Sequence, residues 1–504
     1  MKPTAGVRRP EEFLPTDPYA QRSAVTGVRW SLVGVVTSQV FQVVCALALA
    51  RMLGPASYGI ISAASIYLIL TILLLDQGLS AALVQRPQLT TRAPGAVATL
   101  NLCMALALGL LTWLGAPYIA GFFNVPELAA VLVLLGGALV VKAVGIVPRA
   151  MLSRNLRFRA IALAEVTGAG IGAVCGISAA LAGASYFAVV FQVIAADLTA
   201  GVIVLAAARW PRPNLHLGEL RPLLRFSVSI FGVNALAYFS RNLDNILVGR
   251  FLGVTALSLY GMAYRVLAIP VMLLGQTVNR VMFPVFSRTA ADRKLVAANL
   301  LKAMHVLAML VIPVMAFTAC AAPRLIDLVL GENWAAAAPL LSVLAIAGAR
   351  ETVFFIAPSL MRGMGRADLN LRYEVLATVA QVSGIVVGLQ FGLVWVAVGY
   401  AAGGFLLTPV LLFIQRRLSG AGVLRQLSVL WPPVHAGLWA SGAYLLLERL
   451  DLGGVAALSA GFGAFSGTYL VVMVLVHRRR ARQFLGQLRT LTGVGLSGAS
   501  GAAP

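Results

Sequence analysis

The stretch Arg225–Arg265, RFSVSIFGVNALAYFSRNLDNILVGRFLGVTALSLYGMAYR, is apolar enough to cross a bilayer yet carries Asn234, Arg241, Asn242, Asp244, Asn245 and Arg265. A charge at bilayer depth costs about 2.5–3.5 kcal/mol on insertion scales and usually faces an internal cavity or a partner. A segment holding so many polar groups at that cost points to a polar or charged cargo.

The chain around this stretch is built for lipid. Its 504 residues are 60% hydrophobic and 11% charged, with a mean hydropathy of +0.90. A soluble domain carries about 25% charged residues. The apolar runs last about 20 residues, a helical spanning length, without the alternation of a barrel strand. The fold class is therefore all-α and polytopic. A net charge of +22 raises nucleic acid as a partner, but the basic residues lie singly or in small groups between apolar runs. They set topology, and nucleic-acid binding is excluded. Cys45, Cys103, Cys175 and Cys320 fall inside apolar runs without metal or redox spacing and read as packing residues.

About fourteen spans are expected, from residues 30–50 to 455–476. The division runs: a cytosolic arm at 1–29, a first six-helix lobe at 30–208, a linker at 209–222 and a second lobe at 223–414. A basic linker at 415–432, two further helices at 433–476 and a basic tail at 477–504 follow. Alternate connections carry the arginines: Arg149, Arg154, Arg157 and Arg159 in one, Arg416, Arg417 and Arg425 in another, and Arg478, Arg479, Arg480 and Arg482 at the end. By the positive-inside bias that side is cytosolic and holds both termini. The tail, with Phe484, Leu485, Leu488 and Leu491 on one face, reads as an interfacial helix or as a frayed end.

The halves echo one another. Arg51-Met52-Leu53-Gly54 closes the first helix and Arg250-Phe251-Leu252-Gly253 the seventh; Arg29-Trp30-Ser31 and Arg225-Phe226-Ser227 open them. A repeat six helices apart keeps the same orientation, giving a parallel repeat.

The candidate site starts from the seventh helix, where Asn234, Tyr238, Arg241 and Asn245 share a stripe. Asp244 is three residues from Arg241 and can pair with it, while Arg265 on the next helix comes to a similar depth. Two arginines against one aspartate leave a net positive charge and suit the clamping of phosphate; the same residues also suit a network that only locks two helices together, and both readings stand. Arg350 in the tenth helix extends the cationic set, and its neighbour Glu351 points to another face. Gln42, on a Ser31–Val35–Ser38–Gln42 stripe of the first helix, suits either sugar hydrogen bonding or helix contact. Lys142 and Glu165 reach similar depth in an antiparallel hairpin and are expected to form an ion pair. Asp197 is a candidate for a coupling proton or sodium ion, or for a local hydrogen bond. No nucleotide-binding, hydrolase or zinc-protease motif occurs, so neither enzyme activity nor a cofactor is expected.

Gly27–Arg86 (GVRWSLVGVVTSQVFQVVCALALARMLGPASYGIISAASIYLILTILLLDQGLSAALVQR) and Ser240–Val266 (SRNLDNILVGRFLGVTALSLYGMAYRV) resemble the polysaccharide-transport branch of the multidrug/oligosaccharidyl-lipid/polysaccharide exporter superfamily. The likeness is to Wzx-type, WzxC-like oligosaccharide flippases, over residues 25–476; Ser258 departs from a position more often glycine. The resemblance implies two six-helix lobes in a V, two extra helices, and alternating-access transport of polyprenyl-diphosphate-linked sugar units for O-antigen, capsule or exopolysaccharide. The implied partners are the lipid-linked oligosaccharide, membrane lipids and polysaccharide-assembly proteins. A drug/cation antiporter of the same superfamily, a glycan polymerase or ligase, and a lipid II flippase are the rival readings.

Overall fold

The computed structural model describes residues 18–76, 78–85, 89–208, 211–216, 218, 221–270, 275–450 and 453–491. Every regular element among them is helical, as the long unalternating apolar runs require. Among the described residues, ten helical stretches are long and apolar enough to cross a membrane. Expected spans outside that set include the polar seventh helix and the helix around residues 433–447. The chain divides into two compact units, Met1–Asn242 and Leu243–Pro504.

The first unit holds α1 (Pro18–Asp76), α2 (Leu79–Gln85), α3 (Ala93–Phe123), α4 (Glu127–Arg154), α5 (Phe158–Leu181), α6 (Phe187–Ala207) and the first part of α7 (Arg221–Phe251). The expected first and second spans are the arms of α1, which breaks at Gly54 (φ 72, ψ 170) just before Pro55. A side chain in that left-handed conformation is strained, and proline cannot donate to the ladder, so residue pair 54–55 sets the bend. Residues 211–216 run in a non-helical course along the start of α3. Asn214 fixes them by exchanging hydrogen bonds with Thr99 (2.9 and 3.0 Å) and donating to the Arg92 carbonyl at 2.9 Å. The division between units falls inside α7 instead of in the expected 209–222 connection. One cause is Tyr238, buried, whose hydroxyl donates to the Ile66 carbonyl at 2.6 Å and ties the first part of α7 to α1.

Small residues decide which helices approach closely. In lipid there is no hydrophobic drive between helices, so association rests on tight van der Waals packing. Gly168, Gly172 and Gly176 repeat every four residues along α5 and face α6. A methyl group at Gly172 would stand 2.8 Å from Ala196 Cβ, and one at Gly176 would stand 2.8 Å from Gln192 Cβ. At the other end of α5, the Arg159 guanidinium lies 5.4 Å above the Trp30 ring of α1.

The second unit continues with α8 (Val254–Pro270), α9 (Gln276–Thr289), α10 (Arg293–Leu330), a 3-10 turn (Glu332–Ala337), α11 (Ala338–Phe354) and α12 (Ala357–Gly363). Then come α13 (Ala367–Leu389), α14 (Leu393–Leu406), α15 (Thr408–Ser419), α16 (Val423–Glu448), α17 (Gly454–Leu475) and α18 (Arg478–Leu491). The expected tenth and twelfth spans are each broken just ahead of a proline, at Phe355–Ile356 before Pro358 and at Leu407 before Pro409. The expected basic linker at 415–432 is helical almost throughout. It is divided between α15 and α16, and the Pro432–Pro433 pair sits inside α16. In the tail, residues 478–491 form the helix α18, and residues 492–504 lie outside the described residues.

The repeat reaches further than the Arg-x-Leu-Gly match. Gly253 (φ 87) answers Gly54 (φ 72) at the matching turn. Left-handed residues recur at 124 and 331, at 156 and 365, and at 183 and 392. The pair Leu156 and Gly365 carries the same helix-ending hydrogen bonds. Arg157 N–H donates to Leu152 at 2.9 Å and Leu156 N–H to Ser153 at 3.0 Å, while Arg366 N–H donates to Met361 at 2.8 Å and Gly365 N–H to Arg362 at 3.0 Å. These are the bonds of a Schellman terminus. A second glycine-packed hairpin, α13–α14, occupies the repeat position of α5–α6. There Gly384 and Gly399 bring the two backbones so close that a methyl on either would overlap the other's peptide.

Candidate functional site

In the first unit the intramembrane charges pair differently from expectation. Lys142 on α4 donates to Asp197 on α6 at 2.9 Å, with 30% and 24% of the two side chains exposed. Glu165 on α5 pairs with Arg149, one turn before the end of α4. The expected Lys142–Glu165 pair is thus corrected to two pairs. The cause is the packing order: α4 lies far more extensively against α6 than against its sequence neighbour α5, so equal depth along a hairpin did not mean contact. Asp197 accordingly has a cationic partner.

The first-helix stripe also divides. Ser38 is buried and its hydroxyl donates to the Val35 carbonyl of its own helix at 3.1 Å, whereas Gln42 is exposed. On α7, Asn234 is exposed while Tyr238 is buried against α1. The four-residue stripe is therefore not one uniform polar face. The side chain of Arg241 lies outside the described residues.

In the second unit Asp244 starts a polar chain through the bundle. Its carboxylate accepts from the Asn245 backbone N–H at 2.8 Å and from the Tyr260 hydroxyl at 3.2 Å. Tyr260, fully buried, stacks on Tyr264 with ring centroids 6.2 Å apart, and Tyr264 meets Tyr400 edge-on at 6.1 Å. The Tyr400 hydroxyl donates to Glu351 at 3.0 Å. Two carboxylates on α7 and α11 are thus connected through three tyrosines on α8 and α14. Buried tyrosine hydroxyls need partners, and here two of the partners are acids. The Tyr260–Tyr264 spacing of one helical turn is a signal that sequence reading could have used; Tyr400 gives none, because only packing brings α14 beside α11.

Arg350 leaves α11 on another face from Glu351, as expected of neighbouring helical positions. Its Nε donates to Thr408 Oγ1 at 2.9 Å, and its terminal nitrogen lies 3.4 Å from the Tyr373 hydroxyl. The guanidinium also sits 5.9 Å from the Phe354 ring centre. It borders an apolar cavity of about 970 Å³ lined by α10, α11, the α14–α15 region and α16, including Met315, Phe354, Phe405, Thr408 and Trp431. Arg350 therefore offers charge at the edge of a lipid-sized apolar space. Arg265 on α8 is exposed. Among the described residues no group of three or more His, Cys, Asp or Glu has metal-binding geometry.

With this geometry in hand, similarity to known proteins becomes informative. The family model described as "Polysaccharide biosynthesis protein" matches residues 48–339, more than half of the chain. The chain belongs to that family. The lipopolysaccharide biosynthesis protein WzxC of Escherichia coli (strain K12) is 24% identical over 432 residues, covering 83% of this chain and 86% of WzxC. The succinoglycan biosynthesis transport protein ExoT of Rhizobium meliloti (strain 1021) is 25% identical over 486 residues, covering 93% of this chain and 96% of ExoT. Among solved structures, lipid II flippase MurJ in its inward closed conformation superimposes with a TM-score of 0.68 at 12% identity, over 90% of this chain and 99% of MurJ. At that identity the likeness is one of fold: an all-α, multi-pass membrane architecture shared with a flippase. The resemblance read from residues 27–86 and 240–266 thus holds at the level of family and fold.

Proposed function

We propose that this protein is a flippase that moves a polyprenyl-diphosphate-linked oligosaccharide across the bacterial cytoplasmic membrane for surface-polysaccharide assembly, its termini in the cytosol. The carrying observation is Arg350 at the edge of the apolar cavity of about 970 Å³. The cargo has the same two-part chemistry, an anionic diphosphate joined to a long hydrocarbon. Guanidinium groups suit phosphate because they donate in a planar fork, and the apolar walls suit the polyprenyl chain. Similarity to a lipopolysaccharide biosynthesis protein (WzxC), a succinoglycan biosynthesis transport protein (ExoT) and, in fold, a lipid II flippase (MurJ) supports the same reading.

On this reading no covalent bond is made or broken, so the chain needs orientation and gating without catalytic groups. Arg241, Arg265, Asn234, Asn245 and Gln42 remain candidates for contacts with the diphosphate and sugars. The Asp244–Tyr260–Tyr264–Tyr400–Glu351 chain is the candidate for coupling to a proton or sodium ion. A proton or sodium ion bound there would change the balance of buried charge and bias one conformation over the other, the differential affinity that coupling requires. The same two acids favour a second reading, a cation-coupled drug antiporter.

The deciding experiment is depletion of the protein in its host, followed by assay of lipid-linked repeat units on each leaflet. Cytosolic-leaflet accumulation is expected, with failure of rescue by Arg350→Ala at unchanged abundance. Repeat units reaching the outer leaflet normally in depleted cells would sink the proposal, and drug hypersensitivity alone would favour the antiporter.

A further inference from the structure

A second cavity lies away from Arg350, where α18 meets α10 and the first turns of α16. It measures about 680 Å³, and its polar lining includes Lys302, His305, Arg425, Arg480, Gln483 and Gln487. Among the described residues no carboxylate lines it, and none of its three permanent cations takes part in an ion pair. Three positive charges around one partly desolvated space repel one another, and an anion between them removes that repulsion.

A second, independent observation comes from the wall of the cavity. His305 is only 2% exposed. Its Nδ1 lies 3.2 Å from Gln487 Oε1, while its buried Nε2 has no hydrogen-bond partner among the described residues. Buried polar atoms of this kind are rare in folded proteins and call for a ligand or water. With Gln487 accepting from Nδ1, an imidazolium presents a spare N–H donor at Nε2. With the amide turned, the neutral ring does the same.

Leu301 and Val429 add apolar surface to the lining, and Leu485 on α18 is exposed. α18 also carries Arg478, Arg479 and Arg482, the mixture of basic and apolar residues found in helices lying at a membrane surface. The volume falls in the range of small-molecule sites and exceeds what a bare phosphate fills.

We propose that this cavity binds the phosphate of an anionic phospholipid headgroup, and that the bound headgroup fastens α18 against α10 and α16. Basic recesses among membrane helices take anionic headgroups elsewhere; here α18 supplies one wall, so the lipid holds a structural element in position. The inference does not rest on the cargo assigned above.

The test uses the purified full chain with phosphatidylglycerol or phosphatidylcholine, read by native mass spectrometry and by hydrogen exchange over residues 478–487. Phosphatidylglycerol should be retained and should slow exchange in α18, and phosphatidylcholine should do neither. Lys302→Gln, Arg425→Gln and Arg480→Gln should each weaken retention about tenfold, the loss of one charge-assisted contact. Arg480→Lys should recover most of it, and Arg479→Gln, outside the lining, should leave it unchanged. Unaltered exchange in α10 and α16 identifies variants that keep the fold. Equal retention of both lipids, or an equal loss in Arg479→Gln, would overturn the proposal. So would displacement and equal protection of α18 by inorganic pyrophosphate, which would assign the cavity to a free anion.

Discussion

Replacing Lys142 by methionine tests the packing order of the first unit directly. The substitution keeps most of the side-chain volume and removes the charge that meets Asp197 at 2.9 Å. Both groups are less than a third exposed and sit within helices long and apolar enough to cross a membrane, so a carboxylate left alone there finds little solvation. The insertion cost of an unpaired aspartate near a helix centre is about 2.5–3.5 kcal/mol, close to the 3–5 kcal/mol seen on breaking buried pairs. Because both side chains keep partial exposure, about 2–3 kcal/mol is expected for Lys142→Met. Asp197→Leu should cost a similar amount, and the double variant should return to within about 1 kcal/mol of the parent. Stability is read as the unfolding midpoint in mixed micelles under graded denaturing detergent. The control is the cycle between Lys142 and Glu165, which should be additive, since Glu165 pairs with Arg149. A wild-type midpoint for Lys142→Met, or strong coupling of Lys142 to Glu165 with none to Asp197, would refute the reasoning. If the pair serves coupling as well as structure, the double variant regains its midpoint and not its transport.

Other outcomes follow from single features of the two units. Gly399→Leu should separate α13 from α14, since even a methyl group there overlaps the Gly384 peptide; a loss of at least about 2 kcal/mol is expected in the same detergent titration, against little change for Gly463→Leu, which has open space. Leu156 and Gly365 hold equivalent left-handed positions (φ 55 and 73), so substitution should act asymmetrically. Gly365→Leu should cost about 1–2 kcal/mol, and Leu156→Gly should be neutral or stabilising by under about 1 kcal/mol, strain relief being partly offset by unfolded-chain entropy. At the joint before α18, burial and then the neighbouring His435 hold the His477 imidazole below its ordinary value of 6.5. The neutral ring is the one that fits: Trp439 donates to His435 at 3.1 Å, and His435 and His477 lie 3.2 Å apart. A depressed folded value means that the unfolded chain binds more protons, so this stabilisation is complete above 6.5 and lost as pH falls from there through the folded value. Protection from hydrogen exchange at residues 476–482, after correction for the intrinsic pH dependence of exchange, should therefore fall between about pH 7.5 and about pH 5.5, and His477→Gln should flatten the change. An unchanged profile in that variant would assign the effect to another group.

Much of this protein was legible in one dimension, because lipid reduces the choices for a spanning backbone to helix or closed barrel. Runs of apolar residues at helical length, arginines on alternate connections and the Arg-x-Leu-Gly echo follow local rules, and they led to the class and to the resemblance. Gly54 and Gly253 show why the echo exists, since both carry the left-handed turn after the same helix end. Further repeat positions were hidden because Asn124 and Leu156 occupy left-handed turns without being glycine, so the conformation recurs where the letter does not.

Which charges and rings meet was a tertiary decision. Depth along a helix can be counted from sequence, but azimuth and neighbour cannot. Lys142 was read at the right depth and given the wrong acid, because α4 turns that face to α6. Arg350 was read as a cavity residue, and the structure gives it Thr408, Tyr373 and an apolar wall that no spacing foretold. The tyrosine chain from Asp244 to Glu351 draws on four helices. The opening stretch, residues 225–265, by itself determined that polar groups would be held at membrane depth; the tertiary structure decided which groups they meet. Burying a carboxylate is tolerable only beside specific partners, and those partners come from parts of the chain far away in sequence.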